Sequence, residues 1–184
     1  MKYLRISLLF LLGAAACISP EPQKEFTGDR QFRTTDPSRL YFNNIRSTAY
    51  YRERKGNTRI DLYRNRKLSF VNTRPILHPI IVNNWMKDEA YLFIEKNDYR
   101  YGWSDTLTVE WAHNDSIGGY YTLPLGTRPA MYAFAGRIYD GLQRGQSLRV
   151  KNREGKYVPI LQNLTDKNAF QTVMRDYYRL TEVY

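Results

Sequence analysis

Short runs in which apolar and polar residues alternate, each closed by a turn, constrain this chain most. In 106–112, Leu107, Val109 and Trp111 alternate with Thr108 and Glu110. Successive side chains on a strand point to opposite faces, so such a run buries one face and wets the other. Residues 119–123 return after the turn residues His113, Asn114, Asp115 and Ser116. Residues 40–54 and 58–65 flank Lys55-Gly56-Asn57, a hairpin signature. A helix opening at Asp36-Pro37 competes for the start of that stretch, with Tyr41, Ile45 and Ala49 on one face. Strand is expected beyond about residue 46.

Further strands are expected at 67–71, 79–83, 89–95, 147–151 and 157–161. Pro159 cannot donate to a ladder, which puts the last at a sheet edge. Two segments have helical spacing instead. One is 135–144, with Ile138, Tyr139 and Leu142 on one face and a stop before Gly145. The other is 166–180, with Ala169, Phe170, Val173, Met174 and Tyr177 on one face and Thr165 or Asp166 as cap. The expected class is mainly β (α+β): a single β-sandwich-like domain or a helix-covered antiparallel sheet, with a short helix and a C-terminal helix.

At 184 residues the chain suits one domain plus a tail, and 42% hydrophobic content supplies a core. One cysteine excludes an internal disulfide framework. Two histidines leave little for a metal or haem site, and neither a phosphate loop nor a dinucleotide fingerprint occurs. No cofactor is expected.

The amino terminus carries Lys2 and Arg5, then an apolar run over 6–12, then Gly13 and three alanines. This is the plan of a secretory signal, and the run is too short to span about 30 Å of hydrocarbon. Cys17 follows immediately. Ala14-Ala15-Ala16-Cys17 resembles the lipobox of bacterial lipoprotein signals, in which an aliphatic or small residue and two small residues precede cysteine. It departs at Ala14, where leucine is usual. The resemblance covers only this segment. It implies a diacylglycerol thioether on Cys17, cleavage before it and acylation of the new terminus. Several acyl chains would satisfy the two-signal requirement for stable anchoring. Ile18 in place of aspartate implies outer-membrane sorting. The same alanines also satisfy ordinary signal-peptidase cleavage, which would leave a free thiol in an oxidising compartment.

The organisation read from this is a signal peptide at 1–16, a lipid-anchored cysteine and tether at 17–39, and a globular domain at 40–184. The tether has Pro20, Pro22 and Pro37 and few apolar residues. Fully extended, it reaches at most roughly 75 Å.

The formal charge of +10 becomes +8 once Lys2 and Arg5 are removed with the signal. Most of it lies between Asp29 and Lys67. On the hairpin reading Arg46, Arg52 and Arg54 share a strand face and Arg59 adjoins them. Such a patch suits an anionic membrane surface or an acidic protein; its plain alternative is a solvated strand edge protected by charge. Tyrosines interleave with these arginines, as in single-strand binders, but an exported chain without a nucleic-acid motif points away from that partner.

Tyr99, Tyr101 and Trp103 fall at spacing two, so an extended backbone would line up three rings for a glycan or peptide. The alternative is packing in the core. Catalytic signals are weak: His113 sits among ordinary turn residues, and Asp88, Glu89, Asp98 and Asp105 read as loop acids rather than a paired acid and base. The expectation is a non-catalytic, membrane-anchored interaction module with an envelope protein partner; a glycan- or peptide-binding lipoprotein is the alternative, and a hydrolase using loop carboxylates the third.

Overall fold

The computed structural model describes residues 30–183 except Asn57, Arg100, Trp103, Asp105, Asp115, Pro124 and Leu125. The expected signal peptide, Cys17 and the expected tether up to residue 29 lie outside the described residues.

Two antiparallel four-stranded sheets form the framework. The first runs β1 (Tyr50–Arg54), β2 (Ile60–Asn65), β3 (Leu77–Asn84) and β4 (Glu89–Lys96), in sequence order. The second comprises β5 (Thr108–His113), β6 (Ser116–Thr122), β7 (Ser147–Lys151) and β8 (Tyr157–Ile160), in the order β6-β5-β7-β8. Pro159 is therefore on an edge strand, as its missing donor requires. Pro79 is tolerated within β3 because pairing with β2 ends at Arg64–Ile80, one residue short of it.

Among the described residues three α-helices accompany the sheets: α1 (Asp36–Tyr41), α2 (Arg128–Gln143) and α3 (Leu164–Thr181). Helix α3 packs on β3 and β4, and α2 packs on β4, α3 and β6. The arrangement is helix-covered sheet. Leu77, Ile81 and Leu92 from the first sheet, Val109, Leu148 and Val150 from the second, and Phe134, Ile138, Phe170 and Val173 from the helices join one core. The face expected for α3 is the buried one. Its cap is Asn163, whose side chain accepts from the Asp166 N–H; this is two residues before Thr165 and three before Asp166. Helix α2 begins at Thr127 and Pro129, earlier than its apolar spacing indicates.

Several elements differ from expectation. Residues before 40 also pack on the described domain. Phe32 and Phe42 are buried, the Thr34 N–H donates to Asp88 O at 2.7 Å, and Arg33 bridges to Glu89 at the edge of β4. Sparse apolar residues before position 40 hid one anchoring ring, Phe32. Residues 36–49 are helical in successive forms, so Arg46 is not on a strand. Thr35, not Asp36, caps α1, with a capping box to Ser38. Phe42 packs under Tyr50 and Tyr63, with centroids at 5.7 and 5.0 Å, while Tyr41 and Ile45 face out. Residues 67–71 also form no strand; the chain turns there.

Among the described residues four carboxylates are buried, each under at least one arginine. Asp61 takes Arg52 and Arg54, Glu110 takes Arg149, Asp166 takes Arg74, and Asp176 takes Arg46. Each of these acids is within a few per cent of full burial, while the arginine heads reach solvent. An unpaired buried carboxylate would be driven to the neutral form, so each needs its partner.

The β5–β6 hairpin imposes one steric condition. Its register shifts between Trp111 and Ala112, and the Trp111 indole lies flat on Gly118. A methyl at Gly118 would stand 1.8 Å from Trp111 Cζ3. Gly118→Ala is expected to destabilise by about 2 kcal/mol, as overpacking does. Combining it with Trp111→Leu should recover most of that loss in thermal melts; a single variant melting at the wild-type temperature would contradict the packing.

Candidate functional site

The β1–β2–β3–β4 sheet buries its odd-numbered β3 positions under the helices and turns its even-numbered ones away. On that outer face lies a concavity of about 730 Å³. Its floor is His78 on β3, directly paired with Glu95 on β4. Arg64 on β2 grips Glu95 through Nε and Nη2 at 2.9 and 3.0 Å, and reaches Glu53 on β1 through Nη1 at 2.5 Å. The wall is the turn 68–72. Asn97 fixes it: its Nδ2 donates to Val71 O in the turn and to Arg74 O at 2.8 Å, and its Oδ1 accepts from the Ile76 N–H at 2.9 Å.

The mouth is aromatic. Phe70 is 90% exposed and has φ of 63°, a left-handed conformation unfavourable for a bulky residue. Its ring meets Tyr51 edge-on at 5.5 Å, and the Arg66 guanidinium lies 4.6 Å from the centre of the Tyr51 ring. Cation–π contact holds that ring in place. Nothing in local sequence marked Phe70, because the left-handed turn that exposes it replaces an expected strand. Tyr51 was legible only as part of a strand.

His78 is buried, and its Nε2 has no hydrogen-bond partner. Burial pushes its pKa down to about 4; Glu95 opposes that and Arg64 assists it. The ring is neutral at pH 7. The carboxyls around it are lowered as well, but by their cationic partners. Hydrogen bonding from Arg64 holds Glu95 low, and Lys55 followed by Arg64 holds Glu53 low. A general acid needs the opposite shift, so these two serve to position Arg64. Among the described residues, no group of three or more His, Cys, Asp and Glu is placed to hold a metal ion.

The residues singled out from sequence do not form one site. Arg46 donates to Asp176 from Nε and Nη2 at 2.7 and 3.1 Å. Arg52 and Arg54 do share a strand face, and both bind Asp61. Burial would raise the Asp61 carboxyl, but the two guanidiniums bring it below the ordinary carboxylate range. Arg59 lies over the Trp85 ring at 5.2 Å. Arg64 turns to the opposite face, toward Glu95 and Glu53. The arginines thus divide into ion pairs instead of one continuous basic face.

The backbone at Tyr99 and Tyr101 is not extended. The Gly102 N–H donates to Tyr99 O at 2.7 Å, with Gly102 at φ 68°, so the segment turns. The two rings meet edge-on at 5.4 Å instead of lining a flat strip. Tyr99 is half-buried and lines a hollow of about 190 Å³ with Arg74 and Asp166. Trp103 lies outside the described residues, as does Asp105. Asp88 and Glu89 are engaged by Arg39 and Arg128.

No helix among the described residues is long and apolar enough to cross a membrane. The chain matches no protein-family model, and comparison with curated proteins and with solved structures finds no match either.

Proposed function

We propose that this protein is a lipid-anchored envelope module that docks a partner protein in the Tyr51–Phe70 cleft. The observation that carries the reading is Phe70. A large apolar ring held in a strained backbone and exposed at the mouth of a cleft is what an interface anchor requires. Tyr51 extends the apolar contact, and the His78 Nε2 at the floor can bond to a peptide group of the occupant. The lipobox-like Ala14-Ala15-Ala16-Cys17 supports the anchor, with the tether between it and the domain.

A photoreactive phenylalanine analogue at position 70, in intact cells of the native host, is expected to give one adduct of defined mass. The same group at Glu154, exposed on the β7–β8 turn, is expected to give none. Equal labelling from both positions, or none from 70, would remove the docking reading. Phe70→Gly should abolish the interaction with stability unchanged or up to about 1 kcal/mol higher, because glycine accepts the left-handed turn. The anchor has its own test in the mass of the mature terminus, where an unmodified Cys17 would defeat it.

A further inference from the structure

A second concavity, about 340 Å³, opens on the inner face of the same sheet, beside Trp85 in the β3–β4 turn. One row of paired residues crosses three strands there: Arg54 faces Asp61, and Asp61 faces Asn83. Arg52 reaches the same carboxylate from two residues along β1. Arg52 Nη2 donates to Asp61 Oδ2 at 2.6 Å, and Arg54 Nε donates to Asp61 Oδ1 at 3.0 Å. Two guanidiniums therefore share one carboxylate. One positive charge is left over, and N–H groups of both arginines have no other hydrogen-bond partner among the described residues. Each arginine head is about half exposed.

Asn83 is 3% exposed, lines this cleft, and its Oδ1 has no hydrogen-bond partner. Buried polar atoms are nearly always paired, so an orphan acceptor in a cleft calls for a donor from outside the chain. Trp85 stands 40% exposed at the rim with Arg59 over its ring, placing a further cation at the entrance. Paired guanidinium N–H groups match the two oxygens of a carboxylate. A buried amide acceptor beside an indole suits the hydroxyls and apolar face of a sugar ring.

We propose that this cleft binds an acidic sugar: a pyranose whose carboxylate lies between Arg52 and Arg54 and whose hydroxyl donates to Asn83 Oδ1. The site opens on the opposite face of the sheet from the docking cleft, with Arg52 at the margin of both, and its sugar assignment stands or falls independently of the docking reading.

The test is titration of the detergent-solubilised full-length protein with glucuronate, glucose and acetate. Tryptophan fluorescence and the arginine Nε–H resonances provide the readouts. Glucuronate is expected to bind at least tenfold more tightly than glucose or acetate and to shift the Arg52 and Arg54 resonances. Asn83→Leu is expected to weaken glucuronate at least tenfold while melting at or above the wild-type temperature, because it replaces an orphan acceptor by an apolar group of similar size. Acetate binding as well as glucuronate would mean an adventitious ion only and would overturn the sugar assignment. Equal binding of glucose would overturn the role of the arginines. Unshifted arginine resonances in the wild-type chain would overturn the site even if the variant fails to fold.

Discussion

Asp176→Ala is expected to remove about 3 kcal/mol of stability, the range found when one partner of a buried charge pair is deleted. Asp176 is 1% exposed on α3 and holds three bonds: two from Arg46 and one from Tyr50 Oη at 2.7 Å. These bonds tie α3 to the turn before β1 and to β1 itself. Arg46 is partly exposed and can turn toward water when the carboxylate goes. Tyr50 cannot. It is 2% exposed, and burial together with Asp176 keeps its hydroxyl protonated far above the usual phenol range. Its orphaned O–H then carries the cost of an unsatisfied buried donor, about 1–3 kcal/mol.

The asymmetry gives a sharp double-mutant test. Tyr50→Phe in the Asp176→Ala background should recover about 1 kcal/mol, because no donor is then left unpaired. Urea denaturation midpoints measure each step. A single-variant loss below about 1 kcal/mol would show that the pair is screened like a surface salt bridge.

Acidification should destabilise the protein well above the carboxylate range, and His78 is the cause. Its folded pKa of about 4 lies below the value of 6.5 for a free histidine. The unfolded chain therefore binds the proton first as pH falls. The stability contributed by the neutral ring is complete above about pH 6.5 and is lost progressively down to about pH 4. At about 1.4 kcal/mol per pH unit, the drop from pH 7 to pH 5 is about 2 kcal/mol, and about 3 kcal/mol by pH 4. Glu53, Asp61 and Glu95 have depressed pKa values and act in the same direction, but only below their unfolded values near 4. The interval from pH 5 to pH 6.5 thus belongs mainly to the histidine. His78→Gln should flatten the stability profile there and leave the steeper fall below pH 4.5 in place. An unchanged slope in the variant would show that the ring is hydrated in solution.

Parts of this architecture were plain in the residue order. The alternation of Leu107, Val109 and Trp111 located β5, and the facing pair 147–151 and 157–161 located β7 and β8 with Pro159 at the edge. The stripe from Ala169 to Tyr177 identified the buried face of α3. These elements announce themselves because side-chain direction repeats every two residues on a strand and every 3.6 on a helix, a purely local consequence of backbone geometry.

The sites were not legible in the same way. Glu110 alternates as an outward residue, yet it is buried because Arg149 from another strand covers it. The arginines between 46 and 54 looked like one basic patch. Their partners are 130 residues away in one case and across a hairpin in the other. Phe70 lay in an apolar run that read as strand, and only the turn anchored by Leu68 and Ile76 exposes it. His78 lies just before the expected strand 79–83, and only the longer β3 takes it into the sheet.

By itself the sequence determined the β-rich class, most strands and both long helices. Tertiary structure alone decided which acids are buried, which arginines neutralise them, and which rings and polar atoms remain open to a ligand. The reason is range: periodicity is written between near neighbours, whereas burial and charge pairing depend on residues that meet only after the chain has folded.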